Sequence, residues 1–272
     1  MFVPPQTKIQ FNRLACMALV TFLSDFGDKD YYVPAVKAKM LSINPQLNIV
    51  DLSHSITNFD LVHASFILRS TFREFPKGTV HLVCVKTASK STDGFIGLKL
   101  EDHIFIGPNN GVLSLLTDHE PGIIVQFSEN HSKVTTFPTR DILASITAKV
   151  ASGAAIHDFG GPCTRFKKMV TQKVKATKEQ ILGHVIRIDG YGNMTTNISK
   201  EVFDKLNPGK FTIHFGREVV SSLQTGYDQV EDGEPFVLFN SLGLMEIGIN
   251  VGHGANLLGL KQESFVFVNF IT

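Results

Sequence analysis

The sequence predicts an α/β N-terminal domain with a mainly parallel sheet, followed by a smaller all-β, barrel-like C-terminal domain. Three observations carry this prediction. Short apolar runs alternate with helix-periodic segments as far as Gly160, the pattern of strands joined by crossover helices. A turn-rich break, Gly160-Gly161-Pro162, then interrupts the chain. Beyond it, short apolar runs punctuated by Gly, Asn and Asp follow one another without long helical segments.

In the first part, Leu19–Leu23, Leu47–Val50, Thr79–Val85, Ile104–Ile106 and Gly122–Phe127 read as strands. Val36–Ile43, Phe59–Phe72, Gly111–Leu116 and Asp141–Ala155 read as helices. Phe59, Val62, Phe66, Ile67 and Phe72 follow roughly helical spacing. Pro76-Lys77-Gly78 is a turn into the next strand. The basic, polar stretch from Arg165 to Glu179 reads as a linker running into an edge strand. The expected boundaries are therefore 17–164 for the first domain, 165–180 for the linker and 181–272 for the second domain. Ile181–Ile188, Lys210–Phe215, Val219–Leu223, Pro235–Phe239, Met245–Ile249 and Phe265–Phe270 read as strands of the second domain. Residues 1–16 contain Pro4 and Pro5 and read as an appendage ahead of Met17.

Composition narrows the function classes. A formal net charge of +1 over 272 residues gives no field to recruit nucleic acid or an anionic membrane. No apolar run reaches the length of a membrane span, and the first sixteen residues lack the long apolar core of a signal peptide. The three cysteines, Cys16, Cys84 and Cys163, have neither disulfide-framework nor zinc spacing. The histidines show no metal-ligand spacing either. The expectation is a cytoplasmic protein with no metal, no nucleic-acid partner and no membrane partner.

The most informative motif is Ser24-Asp25-Phe26-Gly27-Asp28-Lys29-Asp30-Tyr31-Tyr32-Val33, between a buried strand and a helix. Open α/β sheets bind ligands outside the carboxyl ends of their strands, where Asp25 would sit. Gly27 lets the backbone turn sharply there. Two readings of Asp25 stand: a carboxylate accepting two ribose hydroxyl hydrogen bonds, or a helix N-cap.

Four further motifs combine with this one. Ser24-Asp25-Phe26-Gly27-x-x-Asp30-x-Tyr32-Val33 is followed by Asp51-Leu52-Ser53-His54-Ser55-Ile56 and Phe75-Pro76-Lys77-Gly78-Thr79-Val80-His81. Then come Gly107-Pro108-Asn109-Asn110-Gly111, and Ile188-Asp189-Gly190-Tyr191-Gly192-Asn193 with Thr196-Asn197-Ile198 and Asn240-Ser241-x-Gly243. In this order, across residues 17 to 270, the chain resembles the S-adenosylmethionine hydroxide adenosyltransferases, the group that includes the fluorinases and chlorinases. The resemblance implies displacement at C5′ of the ribose of S-adenosylmethionine, by water, hydroxide or halide, with methionine leaving. It implies no cofactor, S-adenosylmethionine itself being substrate or ligand. It also implies a homotrimer with ligand sites between the N-domain of one subunit and the C-domain of its neighbour.

Carried over by position, the resemblance implies that Asp25 holds the ribose hydroxyls and that Asp30 and Asp189 face the methionine ammonium. Asn193 reads the adenine edge, Tyr191 packs on base or ribose, and Phe59 stacks on the ligand. Ser241 reaches the methionine carboxylate, and backbone groups near Asn250 and Val251 complete the adenine pocket. Each has a structural alternative. Asp30 is also placed to favour a helix dipole. Asp189-Gly190 and Gly192-Asn193 are also turn sequences. Phe59 also fits a core face, and His54 a structural histidine.

The chain departs from the hydrolases' pattern where it matters for chemistry. Their V-V-D-P-G-V-G-T stretch is here Cys84-Val85-Lys86-Thr87-Ala88-Ser89-Lys90-Ser91, with Lys86 at the aspartate and Asp93 near a following arginine. Their F-H-G-R-D is Phe137-Pro138-Thr139-Arg140-Asp141, with Pro138 at the histidine. Ser89 and Thr139 match positions where halogenases hold halide with hydroxyls, yet Lys86 replaces their tyrosine and Leu242 an arginine. Lys86, Ser89, Asp93 and Thr139 are thus the candidate catalytic residues. An inward Lys86 repels a sulfonium by about 4 kcal/mol a few ångströms away at an effective dielectric near 20, which favours a neutral ligand such as adenosine. Paired with Asp93 and neutralised, it would hold or activate a nucleophile. On a solvated loop it would do neither. Two functions follow: displacement at C5′ giving adenosine and methionine with altered nucleophile handling, or adenosine or S-adenosylmethionine binding without chemistry. A halide-using adenosyltransferase fits less well.

Overall fold

The protein is described by a computed structural model covering residues 18–87, 93–119, 121–128, 135–206 and 209–271. It divides into two compact units, Met1–Val170 and Thr171–Thr272. The first unit runs β1 (Leu19–Ser24), α1 (Tyr32–Ile43), β2 (Asn48–Ser53), α2 (Leu61–Thr71), β3 (Val80–Cys84), β4 (Phe95–Leu100) and β5 (His103–Pro108). It continues through β6 (Ile123–Phe127), α3 (Ala144–Ala151) and β7 (Gly160–Pro162).

These strands form one sheet in the order β2-β1-β3-β5-β4-β6-β7. Side chains alternate across a strand, so Phe22 and Leu23 of β1 fall on opposite faces. Phe22 packs with Leu82, Val36 and Ala148 on the side covered by α1 and α3. Leu23 packs with Val83, Leu68 and Phe105 on the side covered by α2. Both faces are covered, which is why β1 and β3 read as continuous apolar runs.

The sheet is mixed, not mainly parallel as the sequence led us to expect. β2, β1, β3 and β5 run parallel, but β4 is antiparallel to both β5 and β6, and β7 to β6. The physical reason is a hairpin hidden in the sequence. Leu100 pairs with His103 across a two-residue turn in which Glu101 and Asp102 have φ of 49° and 64°. Two positive φ values match the right-handed strand twist, and Asn-Gly or Asp-Gly is the usual signature. Glu-Asp gives no such signal, so Phe95–Leu100 is a strand that the sequence reading missed.

A buried polar chain crosses this sheet. Thr21 Oγ1 lies 2.7 Å from His81 Nδ1, and His81 Nε2 lies 3.1 Å from His103 Nδ1. The His81 ring stacks on Phe105. Burial, then the neighbouring His103, pushes the His81 pKa down to about 3.

The second unit runs β8 (Lys175–Ala176), β9 (Gln180–Ile188), β10 (Met194–Ser199), α4 (Lys200–Leu206), β11 (Lys210–Phe215) and β12 (Glu218–Val220). It ends with β13 (Pro235–Phe239), β14 (Leu244–Ile249), α5 (Gly254–Leu257) and β15 (Phe265–Ile271). Its strands pair antiparallel in the order β12-β11-β15-β9-β10-β14-β13, with β8 beside β9. The sheet curls until it nearly closes. The chain leaving β12 reaches the far edge, where Gln224 N donates to Val237 O and Val237 N donates to Gln224 Oε1, each at 2.8 Å. Ile181, Val185, Ile213, Phe215, Ile247 and Val268 fill the interior. Among the described residues, no helix is long and apolar enough to cross a membrane, and no group of three or more His, Cys, Asp or Glu is placed to hold a metal ion.

Candidate functional site

Asp25 follows the last residue of β1 and is only 8% exposed. It does not cap α1, whose N-terminus makes no side-chain cap. Its Oδ2 instead accepts the backbone N–H groups of Phe59 at 3.0 Å and Lys86 at 3.2 Å. Both donors have left-handed backbone, φ 66° and 52°, a conformation costly for non-glycine residues. The strain aims two N–H groups from two different turns at one carboxylate oxygen. Asn58 Nδ2 adds a hydrogen bond to the Asp25 carbonyl at 3.2 Å. Phe59 precedes the helix, because Asp60 caps α2 by accepting from Val62 N and His63 N. It is 66% exposed, so it is not a core residue.

The turns around Asp25 are stapled from behind. His54 Nδ1 lies 2.7 Å from Ser24 Oγ, and its carbonyl accepts from Gly27 N at 2.8 Å. His54 Nε2 faces Asp51 Oδ1 at 3.1 Å, and Asp51 also binds Lys37. Burial raises the Asp51 pKa, but Lys37 and His54 outweigh it and hold the carboxyl below its usual range. Asn110 Nδ2 donates to Val85 O at 2.9 Å, fixing the turn that carries Lys86. Asn109 bonds the Arg165 carbonyl and the Lys167 N–H. The Pro-Asn-Asn-Gly motif is therefore scaffolding.

Asp25 opens onto a cavity of about 520 Å³. Asp25, Asn58 and Lys86 are its charged and amide lining, and Thr87, Thr136 and Thr139 supply hydroxyls. Phe26, Tyr32, Phe59 and Phe137 form its aromatic wall. Phe137 meets Phe26 and Tyr32 edge to face, at 5.9 and 5.3 Å between ring centroids. Beneath it, burial pushes the Cys84 thiol up, a shift that the Thr139 hydroxyl opposes and the Asp25 charge adds to. Cys84 stays a thiol and is no nucleophile. Of the other sequence candidates, Asp30 and Asp93 are exposed and outside this lining, and Ser89 lies outside the described residues.

The second unit gathers its own polar cluster. Asp189 Oδ1 accepts from Tyr191 N at 2.9 Å and Asn193 N at 2.8 Å, closing the turn between β9 and β10. Gly192, at φ 86°, packs under the His253 ring, where a Cβ would clash. Its carbonyl accepts from Ala255 N at 2.9 Å. The Asn193 amide oxygen and the Phe236 ring both pack against Gly248, where a Cβ would clash. Asn250 is spent on structure, donating to Val230 O at 2.9 Å. Ser241 is exposed in the turn that Asn240 organises by accepting from Leu242 N and Leu244 N. Tyr191 and Val251 are 80% and 82% exposed.

Two residues of this cluster escaped the sequence reading. Glu246, buried in β14, accepts from Asn240 Nδ2 at 2.7 Å. Tyr227 stands beside it: burial first, then Glu246 and Asp189, raise its phenol above the usual range. A carboxylate inside the apolar run Leu244-Met245-Glu246-Ile247 was the available signal. Val251 carries its own prediction. A β-branched residue at φ 54° is strained, and its side chain packs on little. Val251→Gly should stabilise the fold by about 1 kcal/mol, read as a raised urea midpoint at unchanged slope.

The fold and the polar cavity at its strand ends define a two-domain protein with a candidate small-molecule site, placed where α/β sheets bind ligands. The chain belongs to the SAM hydroxide adenosyltransferase family. The family's N-terminal domain model matches residues 20–160 and its C-terminal domain model residues 183–267. The chain is 28% identical over 258 residues to the (R)-S-adenosyl-L-methionine hydrolase of Thermus thermophilus, covering 90% of this chain and 97% of that protein. It is 26% identical over 292 residues to the fluorinase of an Actinoplanes species, covering 92% and 97%. A crystal structure of a conserved Thermotoga maritima protein superposes with a TM-score of 0.84 at 27% identity, covering 92% of this chain and 99% of that one.

Proposed function

We propose that this chain holds the adenosyl group of S-adenosylmethionine and displaces methionine at C5′. The observation that carries the reading is Asp25: its Oδ2 is fixed by two backbone N–H groups, which leaves Oδ1 for a ribose diol. The relatives named above, an (R)-S-adenosyl-L-methionine hydrolase and a fluorinase, support it. With water as nucleophile, a C5′–O bond forms as the C5′–S bond breaks. The electron pair leaves on methionine sulfur and the water proton passes to solvent. The sulfonium is already a good leaving group, so the protein supplies alignment and a dry nucleophile and needs no cofactor. Thr139 and Lys86 are the groups we assign to the nucleophile, in place of a carboxylate.

Asp189, Asn193, Tyr191 and Ser241 are the residues we assign to the methionine and adenine ends, with Tyr227 as an addition. We assign them to the neighbour's ligand in a homotrimer. The exposed Tyr191, Val251 and Leu257 support an interface there. We propose the cytoplasm as its compartment, where free cysteines such as Cys84 and Cys163 stay reduced. Incubating the protein with S-adenosylmethionine should release adenosine and methionine in equal amounts, measured by chromatography against a protein-free blank. Absence of both products, with and without halide, removes the enzymatic reading. Adenosine binding without turnover would leave the second one, a binding protein, which the lysine in the cavity favours.

A further inference from the structure

We infer that His54 is the positioning residue of the ribose site: it fixes the main chain on both sides of Asp25, so that the Asp25 carboxylate discriminates a ribose from a 2′-deoxyribose. The inference rests on the adenosyl-binding reading above and adds what aims its central carboxylate.

The Asp51-Leu52-Ser53-His54 motif places none of its residues in the lining of the Asp25 cavity. Strand register explains what it does instead. Leu23 of β1 pairs with Ser53 of β2, so Ser24 and His54 come out of the sheet side by side. The His54 ring is buried and meets Phe22 edge to face, at 4.7 Å between centroids.

Three contacts tie the turn to this residue. Ser24 Oγ lies 2.7 Å from His54 Nδ1. The same oxygen accepts from Phe26 N at 3.4 Å. The His54 carbonyl accepts from Gly27 N at 2.8 Å. Asp25 lies between the residues so held. Charge sets the direction of the first contact. His54 Nε2 faces Asp51 Oδ1 at 3.1 Å, without the alignment of a hydrogen bond. The negative charge of that carboxylate favours the imidazole proton on Nε2. Nδ1 is then the acceptor, and the Ser24 hydroxyl donates to it.

The carboxylate has little slack. Phe59 N and Lys86 N already hold Asp25 Oδ2, at 3.0 and 3.2 Å. The direction of Oδ1 then follows from where the main chain puts Asp25, and that is what His54 fixes. A misplacement of about 1 Å is enough to lose an oriented contact.

Calorimetric titration of the full chain with adenosine and 2′-deoxyadenosine tests this. The deoxynucleoside lacks one hydrogen bond to a charged acceptor, so the wild type should prefer adenosine by about tenfold or more. Ser24→Ala and His54→Leu should each bring that preference down to about threefold or less, and the double variant should fall no further than the lower single one. His54→Asn, whose amide oxygen replaces Nδ1 as acceptor, should keep it near the wild-type value. Loss of stability alone weakens both ligands alike, so the ratio reads position. A wild-type preference retained in both Ser24→Ala and His54→Leu overturns the inference and leaves the adenosyl reading in place. If His54→Leu does not fold, Ser24→Ala decides by the same criterion. A wild-type ratio of one removes the ribose role of Asp25, and absence of adenosine binding removes the adenosyl reading; the inference falls with either.

Discussion

Asp25→Ala should raise the dissociation constant for adenosine at least a hundredfold, or about 2.7 kcal/mol. Hydrogen bonds to a charged acceptor contribute about 1.5–3 kcal/mol each, and a ribose diol makes two. The same substitution strips the acceptor from the N–H groups of Phe59 and Lys86, both held at positive φ. A loss of stability of about 1–3 kcal/mol should accompany it. Asp25→Asn separates the two effects. It retains a carbonyl oxygen for the two N–H groups but loses the charge, so its urea midpoint should stay near wild type while adenosine affinity falls about tenfold. Calorimetry and urea denaturation on the same preparations give both quantities. Wild-type affinity in both variants would place the nucleoside elsewhere.

The role of Asp25 was half legible in the sequence. A carboxylate after an apolar run, with Gly27 behind it, marks the end of a strand, but a helix cap and a ligand carboxylate look alike there. What rules out the cap is where the two N–H donors to Asp25 come from. Phe59 lies 34 residues away and Lys86 lies 61 residues away, and no local pattern encodes a meeting at that distance. The same limit explains Asn109 and Asn110. Their motif was informative about family, yet their amides fix the Val85, Arg165 and Lys167 backbone. Asn250 likewise ties down the loop at Val230.

The alternation of strands and helices in the first unit was legible because burial on both faces leaves long apolar runs. Strand direction was not. Glu101-Asp102 folds as a hairpin turn without glycine or asparagine to announce it, and that turn makes β4 antiparallel to both of its neighbours. The second unit was legible as short strands, but β10 (Met194–Ser199) was missed. Its sequence, Met-Thr-Thr-Asn-Ile-Ser, is mostly polar. Thr196 is nevertheless fully buried because its hydroxyl donates to the Met245 carbonyl at 3.0 Å. Pairing to a neighbouring strand, invisible in one segment, offsets the cost of burying those hydroxyls.

Acid should destabilise the first unit through His81, with an effect comparable to that of losing a ligand. In the fold the His81 pKa is about 3; unfolded, an imidazole titrates near 6.5. Above about pH 6.5 both states are neutral, and the stability contributed by the buried ring is fully present. As pH falls from there towards 3, the unfolded chain takes up a proton that the fold refuses. Stability then drops by about 1.4 kcal/mol per pH unit, or about 2.7 kcal/mol at pH 4.5. His103, whose pKa burial also lowers, adds to the loss in the same direction. Carboxylates contribute their own acid dependence, so the slope must be compared with that of a variant. His81→Phe keeps a ring against Phe105 but removes the titrating group. It should be less stable at pH 7, where the Thr21 hydroxyl and the His103 Nδ1 lose their partner, and should lose less further stability between pH 7 and 4.5. Urea denaturation at both pH values measures the two slopes. Equal slopes in wild type and variant would mean that His81 takes up its proton in the fold, and that the polar chain from Thr21 to His103 opens to water instead of excluding it.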